Sequence, residues 1–174
     1  MLKDKPTVFL PGIQFQTRSH RLMFSPDPCR LLQVRVTGSL IKVCLPHGTD
    51  PSIPIVQQAI RLAIDRALMQ EARLMLPSRL EKLASLHGFT FARVTVKNMV
   101  SRWGSCTLKN DINLSMHMVC LPDDLIDYIL IHELAHTRVR SHGPKFWSLL
   151  ESVLPDARRL DKLLNKRRIV CHEI

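Results

Sequence analysis

Apolar positions recur at helical spacing over residues 55–76, at Ile55, Val56, Ala59, Ile60, Ala63, Ile64, Ala67 and Leu68. The stripe predicts a long amphipathic helix whose apolar face is core rather than a site. Pro77 is expected to kink or restart that helix, which continues through Leu80, Leu83 and Leu86 to Gly88. Before it, residues 31–36 and 40–45 alternate apolar with polar over part of their length, and Thr37-Gly38-Ser39 between them predicts a β-hairpin. The first thirty residues carry Pro6, Pro11, Pro26 and Pro28 and read as loosely organised, with one short strand at 7–10. After the long helix, residues 89–97 and 111–116 alternate as strands do. Pro122-Asp123-Asp124 opens a further helix, with acid near its positive end, and residues 144–154 begin another with proline in the first turn. This order predicts an α+β fold, in which a small mixed sheet packs on the helix around residues 132–136 and a long helix precedes it. Residues 1–52 read as an N-terminal hairpin extension and 53–174 as the main domain, together one compact unit.

The candidate chemistry lies at residues 132–136, His-Glu-Leu-Ala-His, with a third histidine, His142, six positions after His136. Positions i and i+4 share a helix face, so His132 and His136 can offer two imidazoles to one metal ion. Glu133 projects beside that ion, where a carboxylate can take a proton from water. Six residues are not a whole number of turns, so the helix must end after His136 for His142 to return. Ser141-His142-Gly143-Pro144 supplies the turn. Glu151 competes as third ligand; His142 is favoured because Glu151 belongs to a helix whose apolar face is set by Phe146, Trp147, Leu150 and Leu154. Three protein ligands leave a fourth tetrahedral position open, the pattern of a catalytic zinc site.

Composition narrows the class. With 174 residues and 45% apolar content the chain can bury a real core. No apolar run approaches the roughly 18–20 residues that cross a bilayer. The opening stretch, broken by Pro11, Gly12 and Gln14, does not read as a signal peptide. Five cysteines (Cys29, Cys44, Cys106, Cys120, Cys171) without a CxxC pair suggest reduced thiols in a cytoplasmic protein. The net charge of +10, denser at Arg138/Arg140, Arg158/Arg159 and Lys166-Arg167-Arg168, attracts nucleic acid or acidic substrates without selecting one. Two Trp and one Tyr provide no aromatic series for stacking on bases.

Three stretches together resemble the YgjP-like metallopeptidases, relatives of the SprT-like zinc proteases: residues 101–106 (SRWGSC), 111–114 (DINL), and 128–147 around HELAH and SHGPKFW. The similarity runs from about Ile55 onward, with the N-terminal hairpin fitting more loosely. It implies a zincin-like fold, one Zn2+, His132, His136 and His142 as ligands, and Glu133 as general base. It thereby implies hydrolysis of peptide bonds through zinc-activated water in a peptide or protein substrate. Two arginines, Arg138 and Arg140, stand in the connection to His142 and make the rim more basic.

Around this centre, Trp103, Gly104, Ser105, Asn113 and Tyr128 are candidates for the substrate cleft, with Gly104 allowing close backbone approach. Tyr128, one turn before His132, can orient a ligand or polarise a carbonyl; His117, Arg138 and Arg140 are further oxyanion candidates. Cys106 reads as a small buried thiol rather than a metal ligand. Two other functions stay open: a nucleic-acid-associated SprT-like protease, for which weak binding through the basic surface is expected, and a zinc-binding non-peptidase or regulatory domain on the same scaffold.

Overall fold

The computed structural model describes residues 7–167 and 169. The chain forms two compact units, one reaching Glu71 and the other beginning at Ala72, so the boundary falls inside a helix. The elements define an α+β fold, and among the described residues no helix is long and apolar enough to cross a membrane.

In the first unit, strands β1 (Arg21–Phe24), β2 (Gln33–Thr37) and β3 (Leu40–Cys44) form a sheet in the order β1-β3-β2. β2 and β3 are the expected hairpin. Thr37 pairs with Leu40, and Gly38, first in the two-residue loop, takes φ +57°, which a side chain would resist. Ile41 and Val43 are fully buried beneath it. β1, which the pattern did not predict, pairs parallel to β3.

The strand expected at 7–10 is absent, because the Phe9 backbone finds a different partner. Its N–H donates to Gln57 Oε1 at 2.9 Å, and its carbonyl accepts from Gln57 Nε2 at 2.8 Å. Nor are these early residues loose. Glu71 Oε1 accepts from the Thr17 hydroxyl and from the Ser19 N–H at 2.9 Å, and lies 2.6 Å from His20 Nδ1.

Helix α1 (Pro54–Leu86) buries Val56, Ile60, Ala63, Ile64, Ala67 and Leu68, close to the expected stripe; Ile55 is instead 60% exposed. Pro77 neither stops nor restarts it. Buried positions continue on either side at Leu76 and Leu80, and this packing outweighs the one backbone hydrogen bond that proline removes. Gly88, at φ +67°, turns the chain out of the helix, and the Phe89 N–H returns to the Ala84 carbonyl.

The second unit carries β4 (Arg93–Lys97), β5 (Gly104–Cys106) and β6 (Asp111–Ser115) in the order β4-β6-β5, with β4 parallel and β5 antiparallel to β6. The strand expected over 89–97 begins only at Arg93, because Asp111, its partner, is where β6 begins. β5 is an edge strand of three residues, too short for alternation to reveal. Helices α2 (Asp123–Ala135), α3 (Pro144–Val153) and α4 (Ala157–Leu164) follow. α2 buries Leu125, Ile129, Leu130 and Leu134; Phe146 and Leu150 of α3 and Leu160 of α4 are buried as well. Arg79 of α1 holds the first turns of α2, reaching Asp127 at 2.6 and 2.9 Å and Asp123 at 3.1 Å.

Cys29, Cys44 and Cys106 are free thiols, but Cys120 is disulfide-bonded. That corrects the expectation of reduced thiols throughout, because chain spacing does not report which sulfurs meet in space. The cysteines therefore no longer argue for a reducing compartment.

Candidate metal centre

Beyond its acidic first turns α2 is mostly apolar; His132 and Glu133 lie in its last turn, and His136 caps the end at φ −64°, ψ −18°. The cap keeps helical geometry, so His136 stays on the face of His132. Beyond it the Thr137 and Val139 N–H groups close on the carbonyls of Leu134 and Ala135, and the chain turns back toward Pro144. His142 returns on that turn. The Nε2 atoms of His132 and His136 lie 3.2 Å apart, and that of His142 lies 3.0 Å from each. Among the described residues this is the group of His, Cys, Asp and Glu side chains that could hold a metal ion.

Each of the first two rings is held from behind. His136 Nδ1 lies 3.1 Å from the Val139 carbonyl, so it carries the proton and donates, leaving Nε2 as a lone-pair donor. His132 Nδ1 lies 3.4 Å from the Tyr128 hydroxyl, which donates to Asp161 Oδ1 at 2.8 Å. Phe146, fully buried, forms the floor under all three imidazoles, with ring centroids 4.9, 4.6 and 4.8 Å from His132, His136 and His142. Burial, then the neighbouring His136 and His142, pushes His132 down to about 3. Burial also lowers His136, with His142 and Arg140 acting in the same direction against the Val139 carbonyl. Both are therefore neutral near pH 7, the form in which imidazole ligates metal. The donor set fits a cation that prefers nitrogen in a three-ligand site.

Glu133 sits beside this triad, only 6% exposed. Its Oε2 has no hydrogen-bond partner among the described residues. Burial pushes its carboxyl up to about 8, against the opposing pull of Arg102. The side chain packs against Gly104 of β5. A Cβ placed on Gly104 would meet Glu133 Oε1 at 2.6 Å, Cγ at 2.8 Å and Cδ at 2.9 Å.

A cleft of about 420 Å3 opens over His132, Glu133 and His142, lined also by Arg102, Trp103, Gly104, Tyr128, Asp161 and Arg167. Of the candidate cleft residues, Trp103, Gly104 and Tyr128 thus stand at the site. Ser105 and Asn113 pair with each other across β5 and β6, Asn113 Nδ2 reaching Ser105 Oγ at 3.4 Å, outside that lining. Tyr128 is 1% exposed, and burial followed by Asp161 pushes its phenol above the usual range.

The other candidates are engaged elsewhere. His117 is buried with Nε2 3.0 Å from Asn98 Oδ1. Arg138 donates to the Gly88 carbonyl and covers the Phe89 ring at 4.5 Å. Arg140 pins the turn before β6, donating to the Thr107 carbonyl at 2.7 Å, the Leu108 carbonyl at 3.2 Å and Asn110 Oδ1. Cys106 faces Arg140 at 3.4 Å, and its thiol is raised by burial, away from thiolate. Glu151, the rival third ligand, pairs with Arg158 at 2.6 Å. Asp161 was not singled out by the sequence, and Arg102 was noted only as part of the 101–106 stretch. Phe146 left its trace as a core position of α3.

Neutral imidazoles converging beside a buried carboxyl in an open cleft are the apparatus of a metal-dependent hydrolase. Residues 47–167 match the YgjP-like, metallopeptidase domain family, and the chain belongs to it. Among solved structures it is similar to the metallopeptidase zymogen abylysin of Pyrococcus abyssi (28% identity over 55% of this chain and 100% of that one, TM-score 0.47). It is also similar to the zymogen jannalysin of Methanocaldococcus jannaschii (19% identity over 52% and 95%, TM-score 0.46). A comparison with curated proteins finds no significant match.

Proposed function

We propose that the chain is a zinc-dependent peptidase in which His132, His136 and His142 hold one Zn2+ and Glu133 is the general base. The convergence of three Nε2 atoms within 3.0–3.2 Å carries this reading, together with family membership. Zinc, when bound, supplies Lewis-acid polarisation of water and of a scissile carbonyl. Glu133 contributes the proton handling: burial raises its carboxyl in the metal-free chain, a bound cation beside it would favour the carboxylate, and that carboxylate would accept a proton from attacking water and return it to the leaving amine. The short edge of β5 at Trp103-Gly104 supports pairing with an extended peptide backbone, and the cleft below admits its side chains.

Purified protein is expected to contain about one zinc per chain by mass spectrometry and to cleave an unfolded protein or a peptide library until a chelator is added. His142→Ala should lose the metal, whereas Glu151→Ala should keep it. Retention by the first and loss by the second would overturn the choice of third ligand. Stoichiometric zinc with no cleavage of any unfolded substrate would favour a zinc-binding regulatory domain.

A net charge of +10 supports a weaker second reading, sequence-independent association with nucleic acid. Arg138 and Arg140 are tied to backbone carbonyls and Arg158 and Arg159 to Glu151 and Asp156, so Lys166 and Arg167 are the better contacts; Arg168 lies outside the described residues. Affinity for labelled DNA should fall steeply with salt and flatten when Lys166 and Arg167 are neutralised. No binding at about 50 mM salt, where such contacts are strongest, would remove the reading.

A further inference from the structure

From the geometry we infer that Asp161 is a positioning residue of the metal centre, setting the tautomer and aim of His132 through the Tyr128 hydroxyl; the inference rests on the zinc reading above. Tyr128 has one hydroxyl proton and two possible neighbours. Asp161 Oδ1 lies 2.8 Å away and, as a carboxylate, only accepts. His132 Nδ1 lies at 3.4 Å and either donates or accepts. Giving the proton to His132 would leave two oxygen lone pairs facing each other at 2.8 Å. The phenol therefore donates to Asp161 and presents its own lone pair to His132, whose Nδ1 must carry the ring proton. Nε2 is left unprotonated, and it is this atom that faces His136 Nε2 and His142 Nε2.

Asp161 is itself braced. Asn165 Nδ2, one turn later on the same helical run, donates to its other oxygen at 3.1 Å. The chain places one such acceptor behind each helix-borne histidine: the Val139 carbonyl for His136 and the Tyr128–Asp161 pair for His132. A metal-bound imidazole whose second nitrogen is hydrogen-bonded in this way is better oriented and more basic. Tyr128, 1% exposed, is thereby assigned to orientation and not to polarising a substrate carbonyl.

The test is zinc affinity, measured by chelator competition on the whole chain, with the visible spectrum of the cobalt-substituted protein as a second readout. Asp161→Ala and Tyr128→Phe should each weaken zinc binding about 10- to 100-fold. The double variant should be no weaker than the worse single, because both changes cut one path. Asp161→Asn, whose carbonyl still accepts from the phenol, should retain most of the affinity. A residue that merely ties α4 to α2 would lower the melting temperature and leave zinc affinity and the cobalt spectrum unmoved, and that result overturns the inference. So does Tyr128→Phe binding zinc within about twofold of wild type, even if Asp161→Ala fails to fold. Wild type and His142→Ala, run alongside, separate the two claims: a wild type that binds no zinc sinks the metal reading itself.

Discussion

Glu133→Gln is expected to keep its zinc and lose about 10^3-fold or more in kcat. Glutamine preserves the volume and leaves the three histidines in place, but it cannot accept a proton. Zinc content and turnover on one peptide substrate, measured on the same sample, decide the matter, and an equally active variant would sink the hydrolase mechanism. The same substitution has a second consequence in the metal-free protein. Burial raises the Glu133 carboxyl from the ordinary 4.5 to about 8, so across that window the folded chain holds a proton the unfolded chain has released. Stability from this group is full below about 4.5 and is lost as pH rises toward 8. A neutral glutamine escapes that loss. Metal-free Glu133→Gln should therefore melt higher than metal-free wild type at pH 8, with the difference narrowing toward pH 5. A difference independent of pH would mean the carboxyl is not held protonated.

Gly104→Ala should cost about 10^2-fold in kcat while leaving zinc bound, because misplacing a catalytic group by about an ångström is enough for that loss. The added methyl would stand 2.6–2.9 Å from three Glu133 atoms. β5 cannot retreat without breaking its register with β6, where Gly104 pairs with Leu114. The carboxylate must therefore give way, and it leaves the position from which it acts. Aspartate, one methylene shorter, relieves the collision. Glu133→Asp should accordingly cost much less in the Gly104→Ala background than in wild type, and a double-mutant cycle measures that coupling. Wild-type kcat in Gly104→Ala would show that the close approach has no bearing on catalysis.

The centre was legible where its parts are local. An i, i+4 histidine pair on one helix face and a Ser-His-Gly-Pro turn are short-range features, and both stand as the residues imply. Phe146 was legible only as a core position, since helical spacing reports burial and not that the buried ring underlies three imidazoles. Gly104 was legible as a place for close approach, but its spacing did not say that Glu133 of α2 is what comes close.

The sequence by itself determined the α+β order of elements, the long apolar stripe of α1, the β2–β3 hairpin, and which side chains could ligate a metal. Those follow from periodicity, turn chemistry and i, i+4 spacing, which act within one element. The tertiary structure alone decided the rest. Gln57 takes the Phe9 backbone that would otherwise have looked for a strand, packing around Leu76 and Leu80 carries α1 through Pro77, and Arg138 and Arg140 tie back to backbone carbonyls. Asp161 stands behind His132 although it lies 29 positions further along the chain, because α4 returns to α2 and a buried hydroxyl must find an acceptor. Such partners are chosen by where a folded chain leaves a donor or an acceptor unmet, and no local pattern encodes that.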